Sequence, residues 1–211
     1  MGGRAITVAQ QKGGSGKTTI AANLAVAFLR SGLSVAVLDI DPQGSLGRWF
    51  MTRRERFDGA PGLEFATASA WGVGYECEKL LRAHDVVLID TPPKVDADLR
   101  PALRETDLVI VPVAASQVDL WATESVLEMA DRERKPALVV LNRAASRARL
   151  TGEIWEQLSG LDAARAETVL GNRVSYAETL GQGLGVQEAA RKGPAGHETA
   201  ALGAEVRAML G

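Results

Sequence analysis

Short apolar runs alternate with helical patterns along almost the whole chain. The runs at 86–89 and 109–111 are continuously apolar rather than alternating, as expected of central parallel strands that are covered on both faces. Strands that alternate with helices in this way predict βαβ units, and therefore an α/β fold with a doubly wound, mainly parallel sheet flanked by helices. The predicted strands are residues 5–10, 34–39, 63–67, 85–90, 108–113, 137–141 and 167–170.

Helical periodicity predicts the elements that separate these strands. No linker rich in Pro, Gly or Ser divides the chain, so we expect one domain over residues 1–211. The two most loop-like stretches are residues 58–62 and 181–196. Ligands of doubly wound sheets bind beyond the carboxyl ends of the strands, and candidate chemistry is expected there. The predicted helices are residues 17–31, 44–57, 73–83, 97–105, 116–134, 151–161 and 198–210.

Composition leaves this fold prediction unchanged but narrows the function classes. The net charge of −2 gives no global reason to expect nucleic-acid binding, so any such activity needs a local basic patch. The single cysteine, Cys77, excludes an internal disulfide framework. No apolar run reaches the roughly 18 residues of a membrane span, and no signal-peptide pattern opens the chain. We therefore expect a soluble protein of the cytoplasm.

The segment from Gln10 to Thr19 joins a predicted strand to a predicted helix and is rich in glycine. Glycines let consecutive backbone N–H groups turn toward phosphate groups, and the helix start adds a favourable dipole potential. Lys17 is expected to neutralise the β- and γ-phosphates of ATP, and the Thr18 hydroxyl to bind Mg²⁺. A glycine turn without a ligand is the alternative, which a Gly-Gly-x-Gly-Lys-Thr run in this setting disfavours. The expected nucleotide-binding residues are Gly13, Gly14, Ser15, Gly16, Lys17, Thr18 and Thr19.

Carboxylates follow two further predicted strands. Asp39 and Asp41 close the second strand, where one can organise the metal shell and the other can orient an attacking water. Capping of the next helix is the alternative role for an aspartate at this place. Asp90 ends a strongly apolar strand, the pattern of a Walker B site whose carboxylate holds Mg²⁺ through a water. The phosphate loop itself departs from the ordinary spacing, because Gln11 stands where a glycine is expected and Lys12 follows it.

In order and spacing, these motifs resemble the ParA/MinD group of P-loop NTPases with a deviant Walker A motif. The similarity covers essentially the whole chain. Because only a few residues precede the first strand, the chain most resembles the small ParA-type proteins without an N-terminal helix-turn-helix domain. The residues that carry the resemblance are Lys12-Gly13-Gly14-x-Gly16-Lys17-Thr18, Asp39-x-Asp41-Pro42-Gln43, Asp90-x-Pro92-Pro93, Val109-Ile110-Val111-Pro112-Val113 and Val140-Leu141-Asn142-Arg143.

The resemblance implies a slow ATPase that forms a homodimer when ATP is bound, with ATP and Mg²⁺ as cofactors. Lys12 is then the lysine that crosses to the partner's nucleotide and stabilises transition-state charge in trans. Gly13 is expected where the two protomers approach most closely, so Lys12 and Gly13 belong to the dimer interface. The implied catalytic residues are Lys12, Lys17 and Asp41, the residues that support the metal are Thr18, Asp39 and Asp90, and the residue that recognises the adenine amine is Asn142.

ParA-type proteins bind DNA non-specifically as ATP dimers, whereas MinD-type proteins bind membranes through a basic amphipathic C-terminal helix. The predicted C-terminal helix carries one basic residue, Arg207, so a membrane partner is not expected. The resemblance therefore implies a nucleoid-associated protein that moves a plasmid, chromosome or protein cargo through a ParB-type or equivalent adaptor. For any single arginine among the candidate DNA contacts, an ordinary solvated surface position is an equally good interpretation. The candidate DNA contacts are Arg147, Arg149, Arg173, Arg191 and Lys192.

Other function classes share the phosphate site. A metabolic P-loop enzyme of the dethiobiotin-synthetase type is one, although no separate motif for a substrate carboxylate stands out. A nitrogenase-iron-protein-like enzyme needs cluster cysteines, and Cys77 alone is too few for a four-cysteine site even in a dimer. A regulator that acts through protein contacts alone would keep the ATP switch but would not retain DNA.

Overall fold

The computed structural model describes residues 2–93, 99–145 and 149–211 and contains a seven-stranded sheet. Every pairing between its strands is parallel. The strands are short, as is usual where helices connect parallel strands. They are β1 (Arg4–Val8), β2 (Val35–Asp39), β3 (Glu64–Thr67), β4 (Val86–Asp90), β5 (Leu108–Ala114), β6 (Ala137–Asn142) and β7 (Ala164–Arg165).

Helices cover both faces of this sheet. One apolar cluster joins the sheet to α1, α2 and α9, and two further clusters join its other face to α3, α4, α5 and α6. A short 3₁₀ turn precedes α3. The helices are α1 (Lys17–Arg30), α2 (Ser45–Arg56), α3 (Val73–Leu81), α4 (Leu99–Glu105), α5 (Gln117–Arg132), α6 (Arg149–Leu158), α7 (Val174–Gly181), α8 (Val186–Ala189) and α9 (Pro194–Leu210).

The strand order is β3-β2-β4-β1-β5-β6-β7, which confirms the predicted doubly wound fold. From β1 the chain first moves to one side of the sheet and later returns to the other side, so β1 lies where the winding reverses. Residues on β2 and β4 are buried along the whole length of both strands. Burial on both faces explains their continuously apolar sequences.

This topology brings the carboxyl ends of four strands to one edge of the sheet. Asp39 and Asp90 are aligned partners in the register between β2 and β4, and Val8 is aligned with Asp90 across β1 and β4. Asn142 ends β6 at the same edge. The loop that follows β1 therefore emerges beside both carboxylates and within reach of the end of β6.

The strand predicted at residues 167–170 is wrong, because the seventh strand is Ala164–Arg165. The carboxylate of Glu205, on α9, accepts hydrogen bonds from the backbone N–H groups of Glu167 (2.8 Å) and Thr168 (2.9 Å). Those two donors are therefore used by a side chain and do not join the ladder of the sheet. A local sequence pattern carries no sign of a partner this far along the chain.

The loop predicted at residues 181–196 is also wrong in part. It contains α8, and α9 begins at Pro194 rather than at residue 198. Proline suits the first helical turn because the N–H group that it lacks has no helical partner there. Helix α7 was not predicted at all. The other helix ends agree within a few residues, and the predicted start at residue 97 lies outside the described residues.

A buried arginine joins α2 to the helices that follow β7. The guanidinium of Arg53 is 2% exposed and forms a two-pronged ion pair with Glu188, at 2.9 and 2.8 Å. It also donates hydrogen bonds to the carbonyl oxygens of Pro61 (2.8 Å) and Gly183 (3.2 Å), and it lies over the Trp49 ring. A buried charge is tolerated here because its N–H groups have partners.

Loss of this guanidinium should destabilise the fold strongly. Arg53→Ala leaves Glu188 without its partner and opens a space between α2 and α8, so we expect the free energy of unfolding to fall by about 3–5 kcal/mol. The exposed neighbour Arg56 provides the control, and Arg56→Ala should change it by less than about 0.5 kcal/mol. Urea denaturation followed by circular dichroism compares the variants. Equal stabilities would show that the ion pair adds no net stability.

Candidate functional site

The loop between β1 and α1 wraps around a cleft of about 400 Å³ at the carboxyl edge of the sheet. Gly14 and Gly16 have φ values of +77° and +95°, which residues with side chains rarely adopt. At Gly16 a Cβ atom would lie 2.3 Å from Asn142 Nδ2, so this close approach also requires glycine. Helix α1 begins at Lys17, and no side chain of the described residues caps its first N–H groups. The helix start is therefore free to bind an anion.

Most of the predicted nucleotide-binding residues border this cleft. Lys17 is 7% exposed, and its Nζ donates to the Gln10 carbonyl oxygen at 3.1 Å. Burial lowers the pKa of Lys17, an effect that Asp90 and Asp41 oppose. The hydroxyl of Ser15 is buried and has no hydrogen-bond partner in the described ranges. An anion in the cleft would stabilise the ammonium charge. The predicted residues that line the cleft are Gly13, Gly14, Gly16, Lys17, Thr18, Thr19 and Asp41.

The carboxylate of Asp39 holds the chain between β2 and α2. Its two oxygens accept hydrogen bonds from the backbone N–H groups of Asp41 (3.0 Å) and Gly47 (2.9 Å). Burial raises the pKa of Asp39, while these hydrogen bonds lower it. Asp39 is not the N-cap of α2, which is Gly44, but its carboxylate accepts from an N–H group in the first turn of that helix. Asp41 closes a turn by accepting from the Gln43 N–H at 2.9 Å, and it lines the cleft.

Thr18 and Asp90 form a hydroxyl–carboxylate pair at the start of α1. The Thr18 hydroxyl donates to Asp90 Oδ2 at 2.6 Å. Asp90 is fully buried, and within the described ranges its Oδ1 has no hydrogen-bond partner. An unpartnered buried carboxylate oxygen is costly, and a hydrated Mg²⁺ beside this pair would satisfy it. The residues present therefore fit the predicted metal, which typically takes few protein ligands and keeps several waters.

Asn142 connects the end of β6 to the phosphate loop. Its Nδ2 donates to the Ser15 carbonyl oxygen at 2.7 Å, and its Oδ1 accepts from the backbone N–H of Arg143 at 2.9 Å. Asn142 is buried, with 6% of its surface exposed. The family resemblance implies only a role toward adenine for Asn142, and its hydrogen bond to the loop was not predicted.

Lys12 lies outside the cleft and is paired within its own chain. Its Nζ is 2.5 Å from Asp119 Oδ2, at the start of α5. The side chain of Asp119 is 2% exposed, and Ser116 also binds this carboxylate. Gln10, two residues before Lys12, donates hydrogen bonds to the Pro112 carbonyl oxygen (3.0 Å) and to Thr123 on α5 (3.1 Å). The two lysines of the loop therefore have separate surroundings.

Sequence reasoning missed two residues of this region. Asp119 lies three positions after Ser116, a spacing that indicates the start of a helix but gives no sign of a bond to Lys12. Arg143 lines the cleft, although the sequence indicated only that it belongs to the family motif Val140-Leu141-Asn142-Arg143. Both roles depend on contacts between residues that are far apart in the chain.

The candidate DNA contacts differ in what the structure shows of them. Arg147 lies outside the described residues, and the side chain of Arg149 is not described although α6 begins there. Arg173 is paired with Glu198, with 2.9 Å between Arg173 Nε and Glu198 Oε1. This hydrogen bond raises the pKa of Arg173, and the negative charge of Glu198 offsets the positive charge of the guanidinium. Arg173 is therefore a weaker candidate than its sequence position indicates.

The turn before α9 carries the remaining two candidates. Arg191 and Lys192 are exposed there, and neither pairs with a carboxylate in the described part of the chain. Helix α9 itself buries Leu202 and Val206 against the core, as expected of a helix that docks on its own protein. None of the helices seen in the described ranges has the length and apolar character to cross a bilayer.

Comparison with known proteins agrees with this geometry. A family model described as the CobQ/CobB/MinD/ParA nucleotide binding domain matches residues 6–184. The chain belongs to this family. The predicted resemblance to ParA/MinD-type ATPases is thereby confirmed.

Relatives within this family match the chain over nearly its full length. The carboxysome protein named maintenance of carboxysome distribution protein A, from Halothiobacillus neapolitanus, is 29% identical over 195 residues, which cover 89% of this chain and 88% of that protein. The chromosome-partitioning ATPase Soj of Thermus thermophilus is 29% identical over an alignment of 240 positions, which covers 98% of this chain and 96% of that protein. The solved structure of the septum site-determining protein MinD from Pyrococcus horikoshii, complexed with Mg-ADP, has a TM-score of 0.82 at 20% identity and covers 99% and 97%.

We expect the buried Asp90 carboxylate to lower the free energy of unfolding of the metal-free protein in a pH-dependent way. Burial raises its pKa from 3.8 to about 7, and the charge of Asp39 adds to the rise, so the folded state disfavours the ionised form. The penalty is complete above about pH 7 and vanishes toward pH 4, because the folded protein then carries the protonated acid. With a chelator present, Asp90→Asn should raise the free energy of unfolding above pH 7 by up to about 4 kcal/mol, at about 1.4 kcal/mol per pKa unit.

Urea denaturation at pH 8 and pH 4.5 measures this difference. The advantage of Asp90→Asn should be large at the higher pH and small at the lower one. An advantage that does not change between the two pH values would contradict a raised pKa at Asp90.

Proposed function

We propose that residues 1–211 form one ATPase domain that works as an ATP-dependent homodimeric switch. In this proposal the switch partitions or positions a cargo, which is a plasmid, a chromosome or a protein assembly. Hydrolysis is slow and is stimulated by a ParB-type or equivalent adaptor, and non-specific DNA binding holds the ATP dimer on the nucleoid. Support comes from membership of the family and from near full-length similarity to proteins named for chromosome partitioning and carboxysome distribution.

The observation that carries this proposal is the separation of the two loop lysines. Lys17 borders the cleft and can neutralise phosphates in its own protomer. Lys12 lies on the same loop but outside the cleft, bound to Asp119. A lysine held there is available to a second nucleotide when two such faces meet. To reach the partner's nucleotide, Lys12 must leave the Asp119 carboxylate, whose side chain is 2% exposed. Because a buried carboxylate without its cation costs free energy, activation is slow.

The other residues in and around the cleft have separate roles in this proposal. Asp41 orients the attacking water, since its side chain lines the cleft and is fixed by a local turn. Asp39 acts through the backbone by holding this turn against α2. Thr18 and Asp90 hold Mg²⁺, whose charge would stabilise the transferred phosphoryl group. Asn142 Oδ1, which accepts from one N–H group, has a second lone pair for the adenine amine.

Separate replacement of the two lysines tests this division. Lys17→Ala should abolish ATP binding, because the cleft loses its buried cation. Lys12→Ala should keep the ATP affinity near that of the wild type but lower ATP-dependent dimerisation and reduce hydrolysis by about 100-fold or more. Lys79→Ala, at an exposed lysine on α3, is the control. Binding of a fluorescent ATP analogue, light scattering and phosphate release give the three readouts. Wild-type turnover by Lys12→Ala would rule out a catalytic role for Lys12.

A regulator that does not bind DNA is the second candidate. The net charge of −2 and the pairing of Arg173 with Glu198 favour it, because both reduce the positive charge available to phosphates. An iron-protein-like enzyme gains no support, since Cys77 is fully buried and burial raises the pKa of its thiol to about 12. A thiol of that kind is a poor cluster ligand.

DNA retention distinguishes the two candidates. The double variant Arg191→Glu, Lys192→Glu should weaken binding of the ATP-bound protein to non-specific duplex DNA by about tenfold or more and flatten its salt dependence. The control is Lys79→Glu, Arg82→Glu, two basic residues on α3 and directly after it that already pair with glutamates. Fluorescence anisotropy at several salt concentrations measures both. If the ATP-bound wild type retains no DNA at low salt, a regulator that does not bind DNA is the better function. Equal losses of DNA affinity in both double variants would show that Arg191 and Lys192 are not the DNA contact.

A further inference from the structure

A second cation borders the phosphate cleft beside Lys17, and neither the predicted site nor the comparisons assign it a role. Arg143 directly follows Asn142 at the end of β6 and lines the cleft together with the phosphate loop. If Gly16 carried a Cβ atom, the Nε of Arg143 would lie 3.9 Å from it. The side chain of Arg143 therefore lies beside the glycine that directly precedes α1.

The backbone of Arg143 is held in a conformation that side chains disfavour. Its φ of +53° lies in the left-handed region, where glycine or asparagine is accommodated more easily. Its N–H donates to Asn142 Oδ1 at 2.9 Å, and Asn142 Nδ2 donates to the Ser15 carbonyl oxygen at 2.7 Å. The position of Arg143 is thus tied to the phosphate loop through one side chain. Strain of this kind persists where the surrounding structure fixes it and is concentrated at functional sites.

The guanidinium of Arg143 is exposed and pairs with no carboxylate in the described ranges, although Asp41 lines the same cleft. Lys12 and Arg173, by contrast, are each bound to a carboxylate. An unpaired guanidinium beside uncapped helix N–H groups and Lys17 matches a polyphosphate anion, because its planar fork binds phosphate oxygens in pairs.

We propose that Arg143 binds the phosphate chain of the nucleotide in its own protomer, as a second cation beside Lys17. This inference rests on the proposed function only in that the cleft holds ATP or ADP. Lys12 serves the partner's nucleotide in that proposal, so Lys17 and Arg143 hold the nucleotide before dimerisation. Loss of Arg143 should therefore weaken ADP and ATP alike.

Two variants separate the guanidinium from the backbone. Arg143→Ala and Arg143→Gly should each raise the Kd of Mg-ADP about tenfold, the factor expected for loss of one charge-assisted contact. If Arg143 served only to shape the loop, the glycine variant would keep the wild-type Kd, because glycine accepts the left-handed conformation without strain. Arg143→Lys should lose less affinity than either variant, since it keeps the charge without the fork. Isothermal titration calorimetry gives each Kd.

Arg134 supplies a matched control. It is also an exposed arginine with a left-handed φ, of +55°, but it precedes β6 and so lies at the opposite edge of the sheet. Arg134→Gly should bind Mg-ADP like the wild type. Binding by the wild type and by this control establishes the nucleotide site independently of Arg143. If neither the wild type nor Arg134→Gly bound ADP, the proposed nucleotide site itself would be wrong. If the Arg143 variants bound ADP normally, only the role of Arg143 would be wrong.

Inorganic pyrophosphate tests the phosphate contact separately from the base. Mg-pyrophosphate, competed against a fluorescent ADP analogue, should lose the same factor in affinity as ADP when Arg143 is replaced by alanine. Weaker ADP binding with unchanged pyrophosphate binding would place the guanidinium at the base or ribose and overturn the proposal. Unchanged ADP binding in both the alanine and the glycine variants would overturn it as well.

Discussion

The site depends on the close contact between the phosphate loop and the end of β6. Asn142 donates to the Ser15 carbonyl oxygen, and it lies so close to Gly16 that a side chain at residue 16 would not fit. This contact fixes the loop in a shape that leaves the first N–H groups of α1 uncapped and keeps Lys17 beside the cleft. The sheet supplies the rest, because its register places Asp90 where it can accept from Thr18. An anion site therefore follows from packing as much as from charge.

Burial destabilises two charged groups at the cleft, Lys17 and Asp90, and a bound nucleotide with its metal would stabilise both. Lys17 carries its charge in a poorly solvated place, which lowers its pKa, and Asp90 keeps one oxygen without a hydrogen-bond partner in the described ranges. Phosphate opposite the ammonium and Mg²⁺ opposite the carboxylate would offset both penalties. In the proposed switch, Lys12 is held apart from this balance by Asp119 until a second protomer arrives.

The sequence was sufficient for features that local pattern determines. Continuously apolar runs predicted the central strands, and glycine spacing with aspartates at strand ends predicted the cleft, because a parallel sheet gathers its carboxyl ends at one edge. It was insufficient where distant residues decide. Glu205 takes the N–H groups that a strand at 167–170 would need, and Asp119 binds Lys12 from 107 positions away. The role proposed for Arg143 likewise arises from β6 meeting the loop.

The central claim is that Lys12 acts on the nucleotide of the other protomer, and mixing two inactive variants tests it most directly. Lys12→Ala keeps its own Asp41, and Asp41→Ala keeps its own Lys12. In a mixed dimer, the Lys12→Ala protomer would receive the lysine of its partner and contain one complete site. Catalysis in trans predicts that the mixture hydrolyses ATP although each variant alone does not. No hydrolysis in mixtures whose mixed dimers are detected by native mass spectrometry would contradict it.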